Sequence, residues 1–178
     1  MLNTRHKTFY TFYRIVIYSM AAEKTLLAFD FDHTVVDGNS DVVVQKLYSL
    51  PFPDEIKSLY SAVDGWTDFM AAIFSLFHQS GISVEDIKQK ILTIPLAPGM
   101  KELFEHLLDD SYEVIIVSDA NTLFIDWLLA KHDIREQVRH VYSNPAEVNE
   151  EGKLTIQYYH QQDWCNLSSK NMCKGNIY

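Results

Sequence analysis

Positive charge is scarce in this sequence, which has 15 Lys and Arg residues against 24 Asp and Glu residues and a formal net charge of −9. Proteins that bind nucleic acid non-specifically need a basic surface that neutralises the backbone phosphates. The charge balance therefore argues against a nucleic-acid partner. The negative net charge does not argue against a small phosphorylated metabolite as a partner, because a local site can bind such a molecule whatever the net charge of the protein.

Cysteine is also scarce, since Cys165 and Cys173 are the only two in the chain and are too few for a disulfide framework. This usage fits a reducing compartment, so we expect a cytoplasmic protein. With His160, the two thiols match no closed structural zinc spacing, and we expect no zinc site there.

The N-terminal segment lacks an apolar run that is long enough to span a membrane, because Arg14 leaves only residues 15–18 uninterrupted. We therefore expect no membrane partner. The first acidic residue of the chain is Glu23, and a basic, acid-free start is typical of a mitochondrial address. We favour the alternative that residues 1–22 are a disordered extension upstream of a second candidate start at Met20.

Several common catalytic signatures are missing as well. The sequence contains no glycine-rich phosphate loop, no G-x-S-x-G motif, no H-E-x-x-H motif and no internal repeat. These absences give no support to a P-loop nucleotide site, a serine-hydrolase elbow or a zinc-protease helix.

Two aspartates follow a short apolar run near the start of the chain. Residues 26–29 predict a buried parallel strand, and Asp30 and Asp32 come directly after it. Ligands of open α/β sheets bind at the carboxyl ends of such strands. A bend after Asp30 would bring both carboxylates to one metal or phosphate, and a hard cation such as Mg²⁺ would balance their charges. The alternative is an acidic turn after a core strand.

Residues 38–96 predict helices and no strand, so we interpret them as a helical insertion after the first strand. Asn39 or Ser40 is expected to be the N-cap of the first helix, with Asp41 in its first turn, and Ser83 is expected to begin a capping box. Apolar residues at three- and four-residue steps predict a core-facing helix surface formed by Trp66, Phe69, Met70, Ile73, Phe74 and Phe77.

A second β-branched run, residues 113–119, ends in Ser118 and Asp119, as the first run ends in Asp30. Polar residues at the carboxyl ends of two strands favour a site over the acidic-turn alternative. Asn121 is expected to cap the next helix. Residues 138–142 predict a third strand.

These motifs resemble the haloacid-dehalogenase-type phosphatases, and more narrowly the branch of the phosphoethanolamine/phosphocholine phosphatase and the pyridoxal phosphate phosphatase. The D-x-D-x-T turn at residues 30–34 is moderately specific alone. Together with N-S-D at residues 39–41 and S-D-x-N at residues 118–121, this turn is strongly specific for the family. The matching segments follow the family's order from about residue 25 to residue 174.

The resemblance implies an α/β fold with a Rossmann-like parallel sheet. Its core would be formed by residues 23–37 and 97–178, and residues 38–96 would be a small helical cap. The implied activity is Mg²⁺-dependent hydrolysis of a small phosphomonoester through an aspartyl-phosphate, with a pyridoxal phosphate or phosphoethanolamine/phosphocholine type of substrate. The oligomeric state is left open.

The resemblance also implies a role for each motif residue. Asp30 would be the nucleophile and Asp32 the general acid and base, and both would contribute to the Mg²⁺ site, Asp32 through its carbonyl. The residues implied in binding phosphate or substrate are Asp41, Ser118, Asp119, Asn121 and Lys174, with Lys170 the weaker choice for the motif's lysine. Among them, Asp41 and Asp119 would attract a cation on the substrate.

The chain departs from the family pattern after Lys174, where no G-D-G-x-N-D-like motif follows. We therefore interpret it as a C-terminally truncated member whose core sheet is incomplete. We expect the absent strand to leave one edge of the first strand unpaired, which is an aggregation liability. The alternative function is an inactive family member that binds a phosphorylated ligand or a partner without turnover.

Overall fold

A computed structural model of the protein describes residues 16–19, 24–61, 65–108 and 111–177. One sheet has the strand order β1-β2-β3-β4, formed by β1 (Val16–Ser19), β2 (Thr25–Phe29), β3 (Tyr112–Asn121) and β4 (Val138–Asn144). Strands β2, β3 and β4 run parallel, and β1 pairs antiparallel with β2. A separate hairpin consists of β5 (Ala146–Val148) and β6 (Leu154–Ile156). The predicted α/β class with a parallel sheet is confirmed.

Among the described residues, five helices lie between β2 and β3 in sequence, four of them within residues 38–96, where helices were predicted, and a sixth follows β3. Their bounds are α1 (Ser40–Gln45), α2 (Asp54–Ser61), α3 (Trp66–Gln79), α4 (Val84–Ile91), α5 (Met100–His106) and α6 (Thr122–Lys131). A short 3₁₀ turn, Lys174–Asn176, follows near the end of the described chain. No helix in the described part of the chain is long and apolar enough to cross a membrane.

Polar side chains begin three of these helices, because the first N–H groups of a helix have no partner within it. The Asn39 side chain accepts a hydrogen bond from the Val42 amide at 2.9 Å, so Asn39, of the two predicted candidates, is the N-cap. Ser83 and Asp86 form the predicted capping box. Asn121 caps α6 by accepting from the Phe124 amide at 3.0 Å.

A continuous apolar core joins the sheet to the helical insertion. The predicted aromatic face of α3 is buried in it, and Phe74 packs edge-on against Phe124 of α6 with ring centroids 5.8 Å apart. On the sheet, Phe29 packs against Phe104 of α5 at 5.7 Å. Close packing of this kind fixes the insertion against the carboxyl ends of β2 and β3.

Strand β1 corrects two expectations. Residues 16–19 belong to the segment expected to be disordered, yet they pair with β2 in the register Val16 to Ala28 and Ser19 to Thr25. The β2 edge expected to be unpaired is therefore covered at residues 25–28. The physical reason is that a strand edge presents unpaired N–H and C=O groups, and the β-branched and aromatic residues of 16–19 suit an extended partner. The rest of the extension lies outside the described residues.

Candidate active site

The turn after β2 brings Asp30 and Asp32 to the same pocket. Its backbone folds back at once, since the Val35 amide donates to the Phe31 carbonyl at 2.9 Å and the His33 amide donates to the Gly38 carbonyl at 3.0 Å. His33 takes a positive φ of 56°, which is uncommon outside glycine. The bend predicted after Asp30 is therefore present.

The pocket has a volume of about 310 Å³ and lies where β2, β3 and the first turn of α1 meet. Four of its lining residues are aspartates, which makes its wall strongly acidic. The lining residues are Asp30, Asp32, His33, Asn39, Asp41, Trp66, Asp119 and Ala120. Of the residues predicted for the site, the structure thus brings Asp30, Asp32, Asp41 and Asp119 to one cavity.

Ser40, a residue with no exposed surface, holds the Asp32 carboxylate with two hydrogen bonds. Its amide donates to Asp32 Oδ1 at 3.0 Å, and its hydroxyl donates to Oδ2 at 3.1 Å. Burial raises the pKa of Asp32 to about 6, the two Ser40 hydrogen bonds lower it, and the charges of Asp119 and Asp30 raise it. Asp32 therefore has a pKa suited to proton transfer near neutral pH.

Asp41 is buried, and its side chain is hydrogen-bonded on one oxygen only. The Trp66 indole N–H donates to Asp41 Oδ2 at 2.7 Å. Among the described residues, Oδ1 has no hydrogen-bond partner. Burial and the nearby charge of Asp32 raise the pKa of Asp41 to about 8, against the lowering effect of the Trp66 hydrogen bond.

Lys174 brings a positive charge to this acidic wall. Its Nζ lies 3.0 Å from Asp30 Oδ2 and 3.9 Å from Asp119 Oδ1. Asp30 Oδ1 accepts from the Phe31 amide at 2.8 Å. Lys174, the residue preferred over Lys170 in the sequence, is thus the lysine that lies beside Asp30 and Asp119.

Ser118 and Asn121 do not line the pocket, although both were predicted to bind phosphate. Both are fully buried: the Ser118 hydroxyl accepts from the Ala120 amide at 3.3 Å, and Asn121 caps α6. Both lie at the carboxyl end of β3, on either side in sequence of Asp119 and Ala120, which do line the cavity.

Three residues of this region were not predicted as functional. Ser40 and Trp66 contact the site aspartates, and Asn144 fixes the carboxyl end of β3. The Asn144 side chain donates to the Asp119 and Ala120 carbonyls at 2.7 and 3.0 Å. Its oxygen accepts from the Asn171 side chain at 3.1 Å, which ties the end of β3 to the segment that carries Lys174.

Sequence signals existed for two of these residues. Trp66 is the one member of the α3 aromatic face with a polar N–H, and a buried indole usually finds a partner for it. Asn144 is a polar residue at the carboxyl end of a parallel strand, where site residues gather. Ser40 was interpreted as a candidate helix cap, so its contact with Asp32 was not predicted.

The pocket carboxylates have the chemistry of a Mg²⁺ site, although they do not form a complete one. Across residues 24–61, 65–108 and 111–177, no group of three His, Cys, Asp or Glu side chains is placed to hold a metal ion. Mg²⁺ usually binds through one or two carboxylates, with waters and substrate phosphate as further ligands. Asp30 and Asp32 meet this smaller requirement, and a cation beside them would offset the repulsion from Asp119 and Asp30, which adds to the effect of burial on the pKa of Asp32.

The three residues considered for zinc, His160, Cys165 and Cys173, make other contacts. His160 Nε2 accepts a hydrogen bond from the Cys173 amide at 2.8 Å, and both thiols are free.

Comparison with known proteins places this site in a family. The sequence model of the family described as "Putative Phosphatase" matches residues 25–178. The human protein named pyridoxal phosphate phosphatase PHOSPHO2 is 38% identical over 154 residues, which cover 85% of this chain and 63% of that protein. The human phosphoethanolamine/phosphocholine phosphatase is 30% identical over 163 residues, which cover 89% of this chain and 60% of that protein. The chain thus spans less than two thirds of the length of these relatives.

A solved structure shares the fold. It is described as a phospho-aspartyl intermediate analogue of phosphoserine phosphatase and matches with a TM-score of 0.52 and 22% identity. The match covers 76% of this chain and 63% of that one. At this level of identity, the likeness supports the predicted haloacid-dehalogenase-like fold and carries no information on substrate.

Proposed function

This chain belongs to the family described as "Putative Phosphatase", within the haloacid-dehalogenase-like phosphatases, and from this we propose that it is a Mg²⁺-dependent phosphatase of small phosphomonoesters. The observation that carries the proposal is the convergence of Asp30, Asp32 and Lys174 at the carboxyl end of a parallel strand.

Asp30 is the proposed nucleophile. One of its carboxylate oxygens attacks the substrate phosphorus, and the bond from phosphorus to the leaving-group oxygen breaks, which gives an aspartyl-phosphate. Water then attacks the phosphorus and releases inorganic phosphate and free Asp30. The short contacts of Asp30 with the Phe31 amide and Lys174 fix its carboxylate before the reaction.

Asp32 is the proposed acid and base for these two steps. It gives a proton to the leaving alkoxide in the first step and takes one from the attacking water in the second. A pKa of about 6 leaves both protonation states populated near neutral pH. The Ser40 hydrogen bonds keep the carboxylate oriented in both states.

Lys174 and a metal ion would offset the charge that gathers around the phosphoryl group. The lysine ammonium already contacts Asp30, and it would contact the phosphate group of the substrate once the substrate binds. When bound, Mg²⁺ would neutralise phosphate charge as a Lewis acid, held by Asp30 and the Asp32 carbonyl. We do not carry over the phosphate-binding role that the resemblance implied for Ser118, because its fully buried side chain does not line the pocket.

The proposed substrates are small phosphomonoesters that carry a cationic group, of the pyridoxal phosphate or phosphoethanolamine type. A buried carboxylate at Asp41 and an exposed one at Asp119 would attract such a group. The names of the two human relatives support these candidates.

The test is phosphate release from pyridoxal phosphate, phosphoethanolamine and p-nitrophenyl phosphate, with Mg²⁺ and with EDTA. We expect phosphate release that depends on Mg²⁺ and that Asp30→Asn abolishes. The control variant Asp37→Asn, which changes an exposed residue outside the pocket, should release phosphate as the wild-type protein does. Binding without turnover in the wild-type protein, or activity that survives Asp30→Asn, would contradict the proposal.

A further inference from the structure

Trp66 and Asp41 form a contact between two helices of the insertion that the proposed chemistry does not require. Trp66 is the first residue of α3, and Asp41 is the second residue of α1. The indole N–H donates to Asp41 Oδ2 at 2.7 Å, and both side chains line the same pocket as Asp30 and Asp32. The contact therefore fixes one oxygen of a pocket carboxylate and leaves the other available.

The available oxygen is buried and unsatisfied. Asp41 is only 3% exposed, and its Oδ1 has no hydrogen-bond partner within the described residues. A buried acceptor without a partner is destabilising, so such an atom in a cavity wall is suited to a donor that arrives with a ligand. The charges that act on Asp41, those of Asp32 and Asp119, are negative and favour its protonated form, whereas the cation of a bound substrate would favour the carboxylate.

The indole is held in place by two other rings. The Trp66 ring lies 5.7 Å from Tyr60 of α2 and 5.6 Å from Phe69 of α3, and these two rings are 5.5 Å apart. Three mutually packed rings restrict the rotamer of each member. The direction of the indole N–H, and with it the direction of the Asp41 carboxylate, is thereby set by the packing of α2 against α3.

We propose that Trp66 is a positioning residue for substrate selection, which holds Asp41 so that Oδ1 accepts an N–H from a cationic group of the substrate. The inference rests on the proposed phosphatase function and deepens it. This arrangement of Trp66 and Asp41 selects phosphomonoesters whose cation carries a hydrogen-bond donor, such as a primary ammonium. A trimethylammonium group has no N–H and would leave Oδ1 unsatisfied.

The test compares two substrates that differ at one group: phosphoethanolamine, with an ammonium, and 2-hydroxyethyl phosphate, with a hydroxyl in its place. Trp66→Phe keeps an aromatic ring and removes the N–H donor. We expect it to raise KM for phosphoethanolamine about tenfold, as for the loss of a hydrogen bond to a charged group. We expect kcat and the KM for 2-hydroxyethyl phosphate to change less than twofold.

Two controls separate positioning from a structural effect. Trp127→Phe makes the same chemical change on α6, outside the pocket, and should alter neither KM. In the Asp41→Asn background, Trp66→Phe should have no further effect on KM for phosphoethanolamine, because the group that it positions has lost its charge. Phosphocholine should be a poorer substrate than phosphoethanolamine for the wild-type protein.

The inference is wrong if Trp66→Phe changes KM equally for both substrates, or for neither, or if its effect persists beside Asp41→Asn. Calorimetric binding of phosphoethanolamine and of 2-hydroxyethyl phosphate gives the same comparison without turnover. If the wild-type protein shows no turnover, only the proposed function is overturned, because the binding comparison still tests the inference. Equal binding of the two compounds, or binding of phosphoethanolamine that Trp66→Phe leaves unchanged, would overturn the inference.

Discussion

Replacing Asp41 by Asn should make the metal-free protein more stable at alkaline pH and not at acidic pH. Burial and the charge of Asp32 raise the pKa of Asp41 to about 8, whereas a carboxyl in the unfolded chain has a pKa of about 3.9. The folded state therefore binds the Asp41 proton more tightly than the unfolded state. The stability that this proton contributes is fully present below pH 4 and is lost as the pH rises from about 4 to about 8.

The size of the effect follows from the difference between the two pKa values. The folded pKa lies about four pH units above the unfolded one, and each unit corresponds to about 1.4 kcal/mol, so wild-type protein loses at most about 6 kcal/mol across this range. Asn cannot ionise and loses none of it. Its oxygen can still accept from Trp66, but its amide group would lack a partner, at a cost of about 1 to 2 kcal/mol at every pH.

We therefore expect Asp41→Asn to be about as stable as wild-type protein at pH 5, where the two effects cancel, and more stable at pH 8 by about 3 to 4 kcal/mol. Urea unfolding in EDTA at pH 5, 6, 7 and 8 measures the difference. Asp37→Asn, at an exposed turn position, serves as the matched control. A difference between Asp41→Asn and wild-type protein that is constant with pH would refute the reasoning, because it would mean that folding does not change the pKa of Asp41.

Three further predictions concern other contacts of the site and the sheet. Ser40→Ala removes a hydrogen bond that lowers the pKa of Asp32, so the pH profile of phosphate release should move to higher pH; an unmoved profile would exclude Asp32 as the titrating group. Lys174→Met removes the ammonium beside Asp30, and kcat should fall about 100-fold with unchanged circular dichroism, whereas an unaltered kcat would contradict its proposed role. Deletion of residues 1–20 exposes the outer edge of β2 and should cause concentration-dependent association in size-exclusion chromatography, and a stable monomer would contradict this.

The sequence determined the features that depend on local chemistry. Apolar runs that end in Asp30 and in Asp119 marked two parallel strands, because buried strands read as continuous apolar segments. Asn39, Ser83 and Asn121 marked helix starts, because a cap satisfies N–H groups that are only two or three residues away. The order of these signals was enough for the α/β class, and the resemblance to the family came from the D-x-D-x-T, N-S-D and S-D-x-N motifs.

Only the tertiary structure decided which side chains meet in the pocket. Trp66 reaches Asp41 from another helix, Lys174 reaches Asp30 from the far end of the chain, and β1 occupies an edge that we expected to be open. A residue pattern records the face or turn on which a side chain lies, and not the distant partner that packing brings to it. Trp66 shows the difference. Its spacing on α3 predicted a core residue, whereas the packing of α1 against α3 brings its N–H into a hydrogen bond with the buried carboxyl group of Asp41.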